Sequence, residues 1–263
     1  MKKYFVIGNP IDHSLSPKLH NYWIKENNID SVYEKKKINL DQLEDIILEI
    51  KQKKINGINV TVPFKQEIIK YLDKLSPEAT ATQSVNTIYL DNNKAVGHNT
   101  DITGFTLSLK KINLDPINKK IFILGAGGVV PSIVYSLNKM KSLQITISNR
   151  TKEKADRLKK LFNNIKIVEW GEIPEFDMII NATSIGLNND DNINLDFSNI
   201  KNKFFYDVIY NPQETNFLKK AKNQGNKISN GEMMFIYQAS AAFHLWHKVQ
   251  PRIDEEVIKL LNR

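Results

Sequence analysis

The chain contains no cysteine. Disulfides, thiol nucleophiles and thiolate-bound metals are thereby excluded. It also lacks any run approaching the roughly 18 apolar residues that a membrane-spanning helix needs. The first apolar run, Tyr4 to Gly8, stops at Asn9-Pro10. That is too short for the core of a secretion signal, so it reads as a first β-strand, and the protein is expected in the cytoplasm. There is no Gly-Lys-Ser/Thr phosphate loop, which argues against nucleotide hydrolysis. His244 and His247 stand three apart on a predicted helix with no third ligand or helper carboxylate nearby, so no metal is expected. A basic excess of +8 is present, but the lysines are scattered among Asn and Ile. An aromatic-basic surface pattern is missing, and a nucleic-acid partner is not expected.

What is there is ordinary for a soluble domain pair. Of 263 residues, 41% are apolar and 25% charged, near the globular average. Apolar runs of strand length alternate with helical patterns, which implies βαβ units and mainly parallel sheets. In the first hundred residues, strands are predicted at 3–8, 32–38 and 57–61. Ser16 is expected to cap a helix that has Pro17 at its first position. A helix over 40–53 carries Leu43, Ile46, Ile47 and Ile50 on one face. Asp91-Asn92-Asn93 reads as the turn of a hairpin. A helix follows from Asp101 to Lys111, and 113–118 is the best linker candidate. Six more strands are predicted, starting near residues 120, 144, 166, 177, 204 and 226. Two helices, 232–247 and 253–261, close the chain. The expected fold is α/β with two domains. A substrate-binding α/β domain covers 1–100 with a returning segment, 236–263. A Rossmann-type, doubly wound nucleotide-binding domain covers 101–235.

Strand Ile121 to Leu124 runs into Gly125-Ala126-Gly127-Gly128 and then an apolar helix. Glycines at this turn let backbone N–H groups approach a pyrophosphate at a helix N-terminus. The third position of the usual glycine pattern is Val130, followed by Pro131, so the helix is expected to stand slightly further from the sheet. The next strand ends in Ser148-Asn149-Arg150-Thr151, with Lys154 close by. An NAD site places a carboxylate there. A guanidinium and an ammonium instead suit the 2′-phosphate of NADP.

Polar clusters fall at strand ends of the first domain, where open α/β sheets bind ligands. Lys65 and Asp101 are the candidates for proton transfer. An ammonium can supply a proton to a developing alkoxide and stabilise its charge, and a carboxylate can orient it.

The chain resembles the shikimate dehydrogenase family in GNPIDHSLSPKLHN, GINVTVPFK, SVNT, GHNTDITGF, GAGG, SNRT, NATSIGL, YDVIYNP and GEMMFIYQAS. These stretches reach from Gly8 to Ser240 and are highly specific in combination. The resemblance implies reversible, NADPH-dependent reduction of 3-dehydroshikimate to shikimate, on the way to chorismate and the aromatic amino acids. It implies that Lys65 and Asp101 are catalytic and that Ser14 and Ser16 hold the substrate carboxylate. Asn59, Thr61 and Asn86 would bond the ring substituents, with Gln238 reaching the same ring and Tyr210 facing the substrate. Gly125, Ala126, Gly127, Gly128, Val129, Asn149, Arg150, Thr151 and Lys154 match cofactor contacts, and Thr183, Val208 and Gly231 line the nicotinamide side. Val208 stands where the family commonly has Met, and Asn230 where it has Asp. The partner is expected to be a small molecule, with no nucleic acid and no membrane, and the protein a monomer or homodimer. Two alternatives remain: a related enzyme using quinate with NAD, and a non-catalytic nucleotide-sensing or nucleic-acid-binding protein. Ser14, Ser16 and the Asn-Arg-Thr cluster oppose the first, and retention of both Lys65 and Asp101 opposes the second.

Overall fold

The computed structural model describes residues 1–188 and 190–261. They form two compact units, Met1–Gly104 with Ile236–Arg263, and Phe105–Phe235.

The first unit is built on strands β1 (Lys2–Gly8), β2 (Ser31–Lys37), β3 (Gly57–Val60), β4 (Lys74–Leu75), β5 (Thr87–Asp91) and β6 (Lys94–His98). Their order is β2-β1-β3-β5-β6-β4. The sheet is mixed, because β5 runs antiparallel to both β3 and β6. Asn92 and Asn93 make the hairpin turn in the left-handed region, at φ 48° and 61°, as a tight hairpin asks. Helices α1 (Ser16–Glu26), α2 (Leu43–Lys51), α3 (Pro77–Thr82) and α4 (Asp101–Lys111) follow in chain order.

Leu43, Ile46, Ile47 and Ile50 of α2 are all buried and join Ile7, Ile58, Val60 and Ile88 in one apolar cluster. The expected helix over 40–53 is shorter than predicted. Leu40–Gln42 is a tighter 3₁₀ turn, and Lys53 leaves the helical region at φ 60°. The sequence reading also missed Glu67–Tyr71, β4 and α3, which are too short to carry a period. Ser16 is not the cap of α1 but its first helical residue. Leu15 already has near-helical angles, and the Ser14 hydroxyl accepts the Ser16 N–H at 3.3 Å.

The second unit holds β7 (Lys120–Leu124), β8 (Gln144–Ser148), β9 (Lys166–Val168), β10 (Met178–Asn181), β11 (Phe204–Asp207) and β12 (Lys227–Ser229). All pairs are parallel, in the order β12-β11-β10-β7-β8-β9. This is the doubly wound arrangement, reversing direction at β7 and β10. Helices α5 (Val130–Lys139), α6 (Lys152–Leu161) and α7 (Asn216–Asn223) cover it. The apolar run in β7 is explained by burial on both faces. Ile121 and Ile123 enter one core cluster, while Phe122 and Leu124 enter another.

Helix α8 (Glu232–His247) and helix α9 (Glu255–Leu261) end the chain. The end of α8 is pinned to the first sheet. Trp246 donates its indole N–H to the Ile88 carbonyl at 3.1 Å. Its ring fills the space over Gly57, where an added Cβ would lie 2.4 Å from it.

Candidate active site

The polar site of the first unit is made from four chain segments. Strand β3 presents Asn59, and the loop after it carries Thr61 and Lys65. The loop before β5 brings Asn86, and the N-terminus of α4 brings Asp101. Asn86 and Asp101 are buried, at 3% and 5% exposure.

Lys65 Nζ lies 2.5 Å from Asp101 Oδ2, with side-chain exposures of 11% and 7%. Burying such a pair removes two charges from water, and the attraction seldom repays that cost. Its presence among neutral hydrogen-bonding side chains therefore points to chemistry rather than stability. The carboxylate is itself held. Asn86 Nδ2 donates to Asp101 Oδ1 at 2.9 Å, to Thr100 Oγ1 at 2.9 Å and to Gln238 Oε1 at 3.4 Å. Asn86 Oδ1 accepts from the Thr100 N–H at 2.7 Å. The Asp101 N–H donates to Asn99 Oδ1 at 3.1 Å, closing the first turn of α4.

Asn59 sits deeper. It accepts the Tyr33 hydroxyl at 2.7 Å and donates to the Asn86 carbonyl and Thr87 Oγ1, each at 3.0 Å. Both of its donors are spent inside the protein, so it braces the site and has only acceptor capacity left for a ligand. Thr61 is half-buried, its N–H bonded to the Ile7 carbonyl at 3.0 Å. Ser14 and Ser16 lie at the start of α1, where helix N–H groups and hydroxyls favour an anion. Thr100, Thr87 and Tyr33 were not singled out by sequence. Thr100 lay inside a quoted motif, but Tyr33 is 26 residues from its partner and carries no local signal.

In the second unit, Gly125 stands at φ 108°, and an added Cβ would meet the Ala182 carbonyl at 2.8 Å. Gly127 is exposed, and a Cβ there would have only that carbonyl within reach, at 4.0 Å. Ala126, Gly128 and Val129 are half-buried beside it. Val130 is fully buried and begins α5, with Pro131 in the first turn. Asn149 Nδ2 donates to the Thr151 carbonyl at 2.7 Å. Arg150, Thr151 and Lys154 are exposed at the start of α6. Neither cation enters an ion pair among the described residues. A bare backbone turn at a helix N-terminus, with two uncommitted cations at the next strand end, fits a dinucleotide that carries a 2′-phosphate.

Thr183 donates its N–H and hydroxyl to Asn181 Oδ1, at 3.1 and 2.7 Å. Gly231 lies against the Val208 carbonyl, where an added Cβ would be 2.1 Å away. Tyr210 belongs to this second unit and stacks on Phe235 at 4.3 Å, while Gln238 belongs to the first. Among the described residues, no group of three or more His, Asp or Glu could hold a metal, and no helix is long and apolar enough to cross a membrane. His247 packs on Phe243 at 4.4 Å and on Tyr4 at 4.8 Å.

Residues 6–88 match the family described as shikimate dehydrogenase substrate binding domain. Residues 107–210 match the one described as shikimate / quinate 5-dehydrogenase. A shikimate dehydrogenase (NADP(+)) of Pelagibacter ubique is 59% identical, covering 100% of both chains. The crystal structure of shikimate dehydrogenase from Aquifex aeolicus superposes with a TM-score of 0.92 at 37% identity, covering 100% of this chain and 98% of that one. The enzyme from Thermus thermophilus, solved in complex with NADP(H) and shikimate, gives 0.89 at 30% identity, covering 100% and 99%. With matches of this extent over both units, the chain belongs to the shikimate dehydrogenase family.

Proposed function

We propose that this protein reduces 3-dehydroshikimate to shikimate with NADPH, reversibly, as a step toward chorismate and the aromatic amino acids. It acts in the cytoplasm as a monomer or homodimer, with no nucleic-acid partner. The observation that carries the reading is the buried Lys65–Asp101 pair inside a shell of neutral hydrogen-bonding groups.

When bound, NADPH supplies the hydride. The chain supplies the proton and the orientation. Lys65 Nζ holds a proton at the position of the developing alkoxide, gives it up in reduction and takes it back in oxidation. Asp101 keeps the ammonium aimed through Oδ2, and Asn86 keeps Asp101 from rotating by bonding Oδ1. Ser14 and Ser16 receive the substrate carboxylate. Thr61, Asn86 and Gln238 read the ring hydroxyls, with Asn59 behind them, and Tyr210 faces the substrate. The turn from Gly125 to Val129 receives the pyrophosphate. Asn149, Arg150, Thr151 and Lys154 receive the adenosine 2′-phosphate. Thr183, Val208 and Gly231 line the nicotinamide.

The test follows absorbance of reduced nicotinamide with shikimate or quinate, each with NADP⁺ or NAD⁺. Turnover is expected with shikimate and NADP⁺. In Lys65→Ala it should fall by about a thousandfold with the fold intact. A preference for quinate with NAD⁺ would move the substrate and cofactor assignment. Absence of turnover with every pair would refute the enzymatic reading.

A further inference from the structure

One buried charge takes no part in the chemistry above. Asp207, at the end of β11, has no solvent exposure. Among the described residues, three donors converge on its carboxylate and no acceptor does. Oδ1 accepts Asn181 Nδ2 at 3.1 Å and the Ile209 N–H at 3.0 Å, and Oδ2 accepts the Thr215 hydroxyl at 2.7 Å. Burial nevertheless outweighs these bonds and pushes its carboxyl up to about 6. A buried carboxylate held at such cost stabilises the fold poorly, and an apolar residue would serve packing better.

The bonds lead outward to three places. Asn181 passes the constraint to Thr183 through Oδ1, and to the turn beyond it by donating to the Ile185 carbonyl at 3.1 Å. The Asn181 carbonyl accepts the Val208 N–H at 3.0 Å. The Ile209 carbonyl accepts the Gly231 N–H at 3.0 Å. Thr183, Val208 and Gly231 come from separate loops, and each is tied to Asn181 or Ile209, the residues that Asp207 binds directly. Thr215, the third partner, also caps α7 by accepting the Leu218 N–H at 3.4 Å.

We propose that Asp207 is a positioning residue for the nicotinamide half of the cofactor site, holding the loops of Thr183, Val208 and Gly231 in one arrangement through Asn181 and Ile209. This rests on the reading that those three residues face the nicotinamide. The adenosine half, at Arg150 and Lys154, lies on the other arm of the sheet, beyond β8, and receives none of these bonds.

The two halves can be weighed separately. Adenosine 2′,5′-bisphosphate carries the 2′-phosphate but no nicotinamide. Calorimetric titration would compare it with NADP⁺ in the unaltered protein and in Asp207→Asn. NADP⁺ is expected to bind about tenfold more weakly to the variant, while the fragment changes by less than about twofold. Equal weakening of both ligands, or weakening of neither, would overturn the proposal. If Asp207→Asn does not fold, Thr215→Val removes one donor to the carboxylate and should give the same selective loss, about threefold. A loss there that is not selective would also overturn it. If NADP⁺ gains nothing over the fragment in the unaltered protein, the nicotinamide reading falls together with the proposal. If that gain is normal and survives in the variant, the proposal falls alone.

Discussion

The two candidate half-sites are built from opposite materials. In the first unit, side chains bond to side chains, and Lys65, Asp101, Asn86 and Asn59 are each committed before a substrate arrives. In the second unit, the nucleotide turn is mostly backbone, and its cations stand exposed. A buried polar network has a single satisfied arrangement, and breaking one member leaves the others unpaired. A bare backbone turn owes its shape to what cannot be added to it. Selection for chemistry therefore needs particular side chains in the first unit, and in the second the absence of side chains at particular points.

Glycine substitutions test this contrast most sharply. Gly231→Ala would drive a Cβ into the Val208 carbonyl, whereas Gly127→Ala meets nothing closer than 4.0 Å. Gly231→Ala should lower unfolding stability by about 3 kcal/mol in denaturant titrations, and Gly127→Ala by less than about 1 kcal/mol. Similar losses from both would mean that close approach is not what glycine serves in this unit.

A smaller effect is expected at the exposed cations. Arg150→Ala should weaken NADP⁺ by about thirtyfold, leave NAD⁺ nearly unchanged, and make the remaining NADP⁺ binding less sensitive to salt. Parallel loss for both cofactors would remove Arg150 from 2′-phosphate recognition.

The smallest effect is a difference in acid response. His20, in the first unit, is fully buried, and burial lowers its pKa to about 3, helped by His247. Burial likewise lowers His247 to about 4. The unfolded chain protonates both near about 6.5, so their stabilisation is complete above that value and is lost progressively as pH falls toward the folded values. Asp207, in the second unit, is shifted upward to about 6. Its contribution has the opposite sign. It is fully present below its unfolded value of about 3.9 and lost as pH rises through about 6. Between about pH 6.5 and 4.5, hydrogen exchange should show the first unit losing protection before the second. Loss in step would break the comparison.

Much of this was legible without coordinates. Helix α4 and strands β7, β8 and β9 occupy their expected ranges, because apolar periodicity and the Asp-Pro and Gly punctuation mark them directly. The buried face of α2 was readable for the same reason. Its beginning was not, because a 3₁₀ turn and an α-helix share composition. The antiparallel β5 was signalled by its hairpin turn, but its pairing with β3 was not, because nothing local records which strand lies alongside. The residues implied for the first half-site lie in separate motifs, and the bonds that join Asn86 to Asp101, Lys65 to Asp101 and Asn86 to Gln238 span 15, 36 and 152 residues.

The sequence by itself determined the element types, the glycine turn and the cations beside it, and the chemical groups available for proton transfer. These follow from local spacing and side-chain chemistry. Only the tertiary structure decided that Asn59 spends its donors on the protein, that Tyr33 braces it, that Leu15 rather than Ser16 stands at the cap position of α1, and that Asp207 gathers three loops. Each depends on which distant groups satisfy a buried donor or acceptor. Every such group must find a partner once water is excluded, and the chain order does not say which.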